Sequence, residues 1–145
     1  EMVNRLRPEF FVMENVPGIL TMRKGDAIKE IIEAFTEIGY RVNVPIKLNA
    51  EEFGVPQRRK RVFIIGSLEE ISIPQPSPLF YMPSVKTPNM WNLPVAITVR
   101  DAIGSLPELE NGGGSLEMDY EPVQASAYDR LMYGELTFEE FYNLL

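Results

Sequence analysis

The chain alternates between short apolar runs and one long amphipathic stretch. Glu1 to Arg7 reads as the end of a helix stopped by Pro8, because a proline disfavours helix at the residue before it. Phe10 to Val16 is a short apolar run closed by Pro17-Gly18, the pattern of a buried strand followed by a turn. From about Asp26 to Ile38 the period lengthens. Ile28, Ile31, Ile32, Phe35 and Ile38 recur at helical spacing, while Lys29, Glu30, Glu33 and Glu37 fall mostly off that face. Asp26 is the expected N-cap and Gly39 the expected stop.

Tyr40 to Leu48 alternates as a strand does, and Val62 to Gly66 is a second short apolar strand. The loop NAEEFGVPQRRKR, Asn49 to Arg61, separates them, so an antiparallel hairpin is expected. Ser67 to Pro94 has many prolines and little periodicity, as in an extended surface connection. Thr98 with Asp101 predicts a short capped helix, Val99 to Gly104. ENGGGS is a flexible loop. Ala125 to Tyr133, stopped by Gly134, is another expected helix. Thr137 with Glu140 forms a capping box that opens the last one. No internal repeat is visible. A start inside a predicted helix, and a last helix without a stop signal, are what we expect of a fragment.

Composition narrows the chemistry. No cysteine or histidine is present, so within these 145 residues disulfides, thiolate nucleophiles and thiolate or imidazole zinc sites are excluded. Acid–base work would fall to carboxylates, Lys or Tyr. No apolar run approaches the length of a membrane span and no signal peptide is visible, which favours a cytoplasmic protein. The net charge is −7, yet Arg58, Arg59, Lys60 and Arg61 form one basic run. That run is either a solvated turn or a site for phosphates and polar ligand edges. On a strand entrance Arg59 and Arg61 would point to one side and Lys60 to the other.

Glu14 and Asn15 also have two readings. They are a strand-end turn in which Asn15 bonds local backbone, or they lie at the carboxyl end of a strand where open α/β sheets bind ligands. A partly desolvated carboxyl there could donate a proton or a hydrogen bond. Gly112, Gly113 and Gly114 lack the strand-to-helix context of a phosphate loop and read as linker. Trp91, Tyr81 and Phe80 either stack on bases or pin the chain to a core. Lys24 either touches a polyanion or is solvated.

The ordered combination of ENV at a strand end, an amphipathic helix, a strand and FGVPQRRKRVFIIG resembles the cytosine-5 DNA methyltransferase family. RPEFFVMENVPGIL is similar to that family's sixth motif, Ala27 to Tyr40 to its weak seventh, and Asn49 to Gly66 to its eighth. The Gln-Arg-Arg-x-Arg signature stands intact as Gln57, Arg58, Arg59 and Arg61. TVRDAIGSLPELENGGG and SAYDRLMYGE resemble segments leading toward target recognition in bacterial members.

The resemblance implies an α/β fold: the C-terminal part of a Rossmann-like methyltransferase sheet plus the start of a small mixed DNA-recognition domain. Residues 1–66 would be the partial catalytic domain, 67–97 a Pro-rich connection and 98–145 the beginning of target recognition. Phe10 to Val16 would be a parallel strand, with the Tyr40–Leu48 and Val62–Gly66 pair at the far edge.

The implied activity is transfer of a methyl group from S-adenosylmethionine to C5 of a cytosine flipped out of double-stranded DNA. Glu14 would contact N3 and the exocyclic amine. Arg61 would reach O2 and nearby phosphate, Arg59 would bind the phosphate backbone, and Gln57 and Arg58 would flank that loop. Asn15 would hold the turn with Val16 packed behind it, Val16, Pro17 and Gly18 forming the turn itself.

The family's glycine-rich cofactor motif and its Pro-Cys-Gln nucleophile motif do not occur in these residues, and no metal is implied. The chain alone is therefore expected to be inactive. It is also expected to self-associate or to pair with a missing N-terminal half. A tRNA methyltransferase fragment, a non-catalytic nucleic-acid-binding subunit of a split enzyme and a degenerate inactive relative are the alternatives.

Overall fold

Lys60–Ser67 (β4) alternates strictly: Val62 and Ile64 are fully buried while Arg61, Phe63 and Ile65 are only partly covered. Strand period two sends these two sets to opposite faces of the sheet. In this computed structural model, which describes residues 1–83, 88–118 and 125–145, β4 is the strand on which the sheet is assembled. Phe10–Asn15 (β1) pairs along one edge of β4. Arg41–Val42 (β2) and Ile46–Asn49 (β3) pair along the other, giving the order β1-β4-β2 with β3 also on β4.

Phe10 to Val16 was expected as a parallel strand of a larger sheet; among the described residues its one pairing is the antiparallel ladder to β4. The hairpin return lays β4 directly beside β1. The single strand expected over Tyr40–Leu48 is two strands. The break falls at Asn43-Val44-Pro45, where proline has no N–H to give the ladder. Asn43 still donates its backbone N–H to the Ile65 carbonyl at 3.0 Å, so the chain stays against β4 across the gap. The expected β3–β4 hairpin is present, with Asn49 opposite Lys60.

The helix Asp26–Glu37 (α2) covers the Val62–Ile64 face. Ile28, Ile31, Ile32, Phe35 and Ile38 all contribute to the core it forms with Phe11, Tyr40, Val62 and Ile64. Its N-cap is Gly25 rather than Asp26, which instead lies in the first turn, where its carboxylate suits the helix dipole. Gly39 ends it as expected. At φ 90° its N–H bonds the Thr36 carbonyl and that of Tyr40 bonds the Phe35 carbonyl, the paired bonds of a Schellman cap. Tyr40 is then fastened by its hydroxyl, which donates to the Pro8 carbonyl at 2.6 Å. That residue follows the short helix Met2–Leu6 (α1).

Gly66 is required by its neighbour. Phe11 sits opposite it and stacks on Phe35 with ring centroids 4.1 Å apart, and a Cβ on Gly66 would come within 2.2 Å of the Phe11 ring.

The chain divides into two units: Glu1–Ala50 with Arg58–Ser77, and Glu51–Gln57 with Pro78–Leu145. In the second, the Glu52 carbonyl accepts the N–H groups of Leu79 and Phe80, and the core is Phe80, Ile97 and Phe141. Its helices are short: Val99–Ile103 (α3), Ala127–Met132 (α4) and Phe138–Asn143 (α5). Each opens with a complete capping box, at Thr98/Asp101, Ser126/Asp129 and Thr137/Glu140. α4 starts later than the expected Ala125 because Ser126 is its cap. Residues 84–87 of the expected Pro-rich connection and 119–124 of the expected recognition segment lie outside the described residues.

Asp129 accepts from the Ser126 N–H at 2.7 Å and from the Ser105 hydroxyl at 2.8 Å. The Ser126 backbone bond chiefly holds its carboxyl below the usual carboxylate range. Burial opposes this, and the Ser105 and Ser126 hydroxyls add to it. A depressed folded-state pKa contributes stability that is present above the unfolded value and lost as pH falls through the folded one. Asp129→Ala should therefore cost about 1 kcal/mol at neutral pH. Denaturation at several pH values should show its difference from the parent shrinking below about pH 4. Gly66→Ala should displace Phe11 and destabilise the first unit by roughly 1–3 kcal/mol in urea unfolding; an unchanged midpoint would mean that the Phe11 slot is loose.

Candidate functional site

The residues singled out from the sequence converge where β1 ends and β4 begins. In the β1–β4 ladder Glu14 stands opposite Phe63 and Asn15 opposite Val62. Arg61 precedes Phe63 by two residues, so Arg61, Phe63 and Glu14 share one face and Asn15 looks to the other. On the shared face Arg61 forms an ion pair through Nε with Glu14 Oε1. Its Nη1 donates to the Lys60 carbonyl at 2.9 Å, which fixes the guanidinium against its own strand. Arg61 is the more covered partner, with 21% of its side chain exposed against 50% for Glu14. The arrangement is an arginine backed by sheet and a carboxylate turned half outward.

Asn15 keeps its side chain local, its Oδ1 accepting from the Val16 N–H at 2.8 Å. Pro17 then opens a short 3₁₀ turn, Pro17–Leu20, at a position where its missing N–H costs nothing, and Ile19 anchors the turn in the core. Val16 is corrected: it was expected to pack behind Asn15 but is 52% exposed.

The basic run does not converge as a whole. Gln57, Arg58, Arg59 and Lys60 are exposed, and Gln57 belongs to the second unit whereas Arg58 to Arg61 belong to the first. The Arg59 carbonyl accepts the Ala50 N–H at 2.9 Å, closing the hairpin just before the ladder starts at Lys60. One cation the sequence reading passed over is Lys47, opposite Val62 in β3 and exposed. Only the register between strands reveals it. Arg23, Lys24 and Gly25 have consecutive positive φ angles in the loop after the turn. Arg23 pairs with Glu30, and Lys24 is exposed.

The aromatic candidates separate. Phe80 is a core residue, Tyr81 bridges to Val95, and Trp91 is exposed beside an apolar cavity of about 290 Å³ lined also by Phe80, Tyr81, Met82 and Leu93. That cavity belongs to the second unit and contains none of the predicted site residues. No metal-binding cluster of acidic residues occurs among the described residues, and none of the helices searched there is long and apolar enough to cross a membrane.

Residues 1–124 match the family model described as C-5 cytosine-specific DNA methylase. The Type II methyltransferase M1.HphI of Haemophilus parahaemolyticus is 39% identical over 126 residues, 86% of this chain and 30% of that protein. M.BsuRI, a Type II methyltransferase of Bacillus subtilis, is 42% identical over 132 residues, 91% of this chain and 28% of its own length. A crystal structure of a prophage-encoded E. coli protein, assigned as a DNA modification methyltransferase, superposes with a TM-score of 0.54 at 26% identity. It covers 89% of this chain and 36% of that one. The chain thus spans about a third of the length of each of these three proteins.

The Glu14–Arg61 pair is too exposed to hold the fold together, since such pairs contribute about 0–1 kcal/mol. Glu14→Gln and Arg61→Met should each shift unfolding free energy by less than about 1 kcal/mol. A loss of several kcal/mol in chemical denaturation would give the pair a structural role instead.

Proposed function

The chain belongs to the C-5 cytosine-specific DNA methylase family, and from that premise we propose that it supplies the base-activating corner for methylation of a cytosine flipped out of duplex DNA. The observation that carries this reading is the ion pair between Glu14 and Arg61 across the β1–β4 ladder. It brings together a carboxyl group that can share a proton with N3 and accept from the exocyclic amine, and a guanidinium that can donate to O2. Attack at C6 builds negative charge toward N3 and O2. A carboxyl group that holds a proton at N3, and a guanidinium at O2, stabilise that charge where it develops. Asn15 keeps the turn closed through Val16, so that Glu14 stays at the strand tip. Arg59 and Arg61 take the phosphates next to the flipped base, and Gln57 and Arg58 flank them.

The methyl group itself would come from S-adenosylmethionine. The residues present do not fit that cofactor: the glycine-rich motif is missing from the sequence, and the apolar cavity in the second unit has Glu52 as its one charged lining residue. The nucleophile is also missing, because no cysteine occurs. This chain's part is confined to base and phosphate. The outer edge of β1, unpaired among the described residues, supports the expectation that a further strand or a second copy docks there. DNA rather than tRNA is favoured by the family description and by a rice relative named as a DNA (cytosine-5)-methyltransferase.

In an intact enzyme carrying this segment, Glu14→Gln should lower kcat about 100-fold or more while circular dichroism and thermal midpoint stay put. The chain alone, incubated with labelled cofactor and cytosine-containing duplex, should incorporate no label. Undiminished turnover would refute the role of Glu14, and incorporation by the chain alone would refute the division of labour.

A further inference from the structure

Several cations of the first unit are held by partners. Arg23, Lys29, Arg41 and Arg61 are ion-paired with Glu30, Asp26, Glu70 and Glu14, and Arg7 is held by the Ile38 carbonyl and the Tyr40 ring. Lys47 and Lys60 are exposed and, as with Arg5, Lys24 and Arg58, have no such partner among the described residues. The ladder sets them close together. Lys47 stands opposite Val62 and Lys60 opposite Asn49, so the two lysines are diagonal neighbours on adjacent strands, on the face away from Arg61. Diagonal positions lie about 7–8 Å apart, close enough for two long side chains to reach one ligand. The chain has 21 acidic residues against 14 basic ones, so this clustering does not come from a shortage of carboxylates. Lys47 also lies in one row with Asn15, both being opposite Val62, which puts the pair at the sheet end where Glu14 stands.

We infer that Lys47 and Lys60 form a phosphate-binding pair on the opposite face of β4 from Arg61, so that the hairpin end contacts the DNA backbone with both faces. This rests on the proposed reading of the Glu14–Arg61 corner and extends it to a residue outside the Gln-Arg-Arg-x-Arg run. A strand that delivers a base to Arg61 carries one negative charge per nucleotide, so neighbouring phosphates come within reach of long side chains at the same sheet end. An ammonium group on a flexible stem suits this task. It neutralises a phosphate as a point charge without demanding the planar geometry of a guanidinium. The contact is to backbone and carries no sequence preference.

The test is fluorescence anisotropy of the full chain with a short labelled duplex across a salt series. It compares the parent, Lys47→Ala/Lys60→Ala and, as a control for bulk charge, Lys29→Ala. The lysine pair's removal should make the slope of log affinity against log salt shallower by about two. The loss should be equal on duplexes with and without cytosine, with the thermal midpoint unchanged. An unchanged slope, an equal loss in Lys29→Ala, or no binding by the parent overturns the inference. Failure of the proposed reading registers separately, as unaltered turnover in Glu14→Gln, a measurement the lysines do not enter.

Discussion

The register of β1 on β4 is the constraint from which the first unit follows. Phe11 must lie over Gly66, because at no other residue type is there room for the ring between β4 and Phe35. Once that pair is set, the ladder runs without freedom: three residues further along β1, Glu14 meets Phe63, and Arg61 arrives on its face. A slip of one residue would turn Glu14 into the core and Met13 out of it. The geometry of the candidate site is thus held by an aromatic packed on a glycine well away from it, and the weak ion pair need only complete what packing has positioned.

The same constraint explains what could be read from the sequence. α2 was legible almost residue by residue, because its apolar spacing, Gly39 and the absence of helix breakers all agree. Its N-cap was not, since Asp26 looks like a cap, and only the positive φ of Gly25 shows where the turn begins. The break at Pro45 was legible in principle, the proline being visible within an alternating run. The antiparallel partner of β1 was not, because pairing depends on where a distant hairpin folds back. Glu14, Asn15 and the arginine run were found through motif order, yet nothing in that order says that Arg61 and Glu14 share a face or that Lys47 joins Lys60. Those are facts of cross-strand register, which has no local signature in the chain.

The second unit solves a different problem. Its helices are five or six residues long, too short to persist alone. Each compensates with a reciprocal capping box, and α4 and α5 add aromatic contacts: Phe80 meets Phe138 and Tyr142, and Tyr128 meets Phe141. The Tyr142 hydroxyl donates to the Leu79 carbonyl at 2.9 Å and ties the last helix to the segment that precedes Phe80. Capping boxes are readable in sequence because their two residues lie three apart. This is why Thr98, Thr137 and their partners were identified while the aromatic contacts between segments were not.

The partial exposure of the Glu14–Arg61 pair has a functional consequence on the proposed reading. A base reaching this corner must take Glu14 away from Arg61, or at least share it. Were the pair fully buried, separating it would leave uncompensated charge at a cost of several kcal/mol, and the site would resist its own substrate. With half of Glu14 in water the exchange costs about as much as a surface ion pair contributes. Arg61 loses little freedom meanwhile, because its Nη1 stays on the Lys60 carbonyl. The corner is therefore already oriented before a base arrives, through the strand that carries Arg61, and still open to it, through the strand tip that carries Glu14.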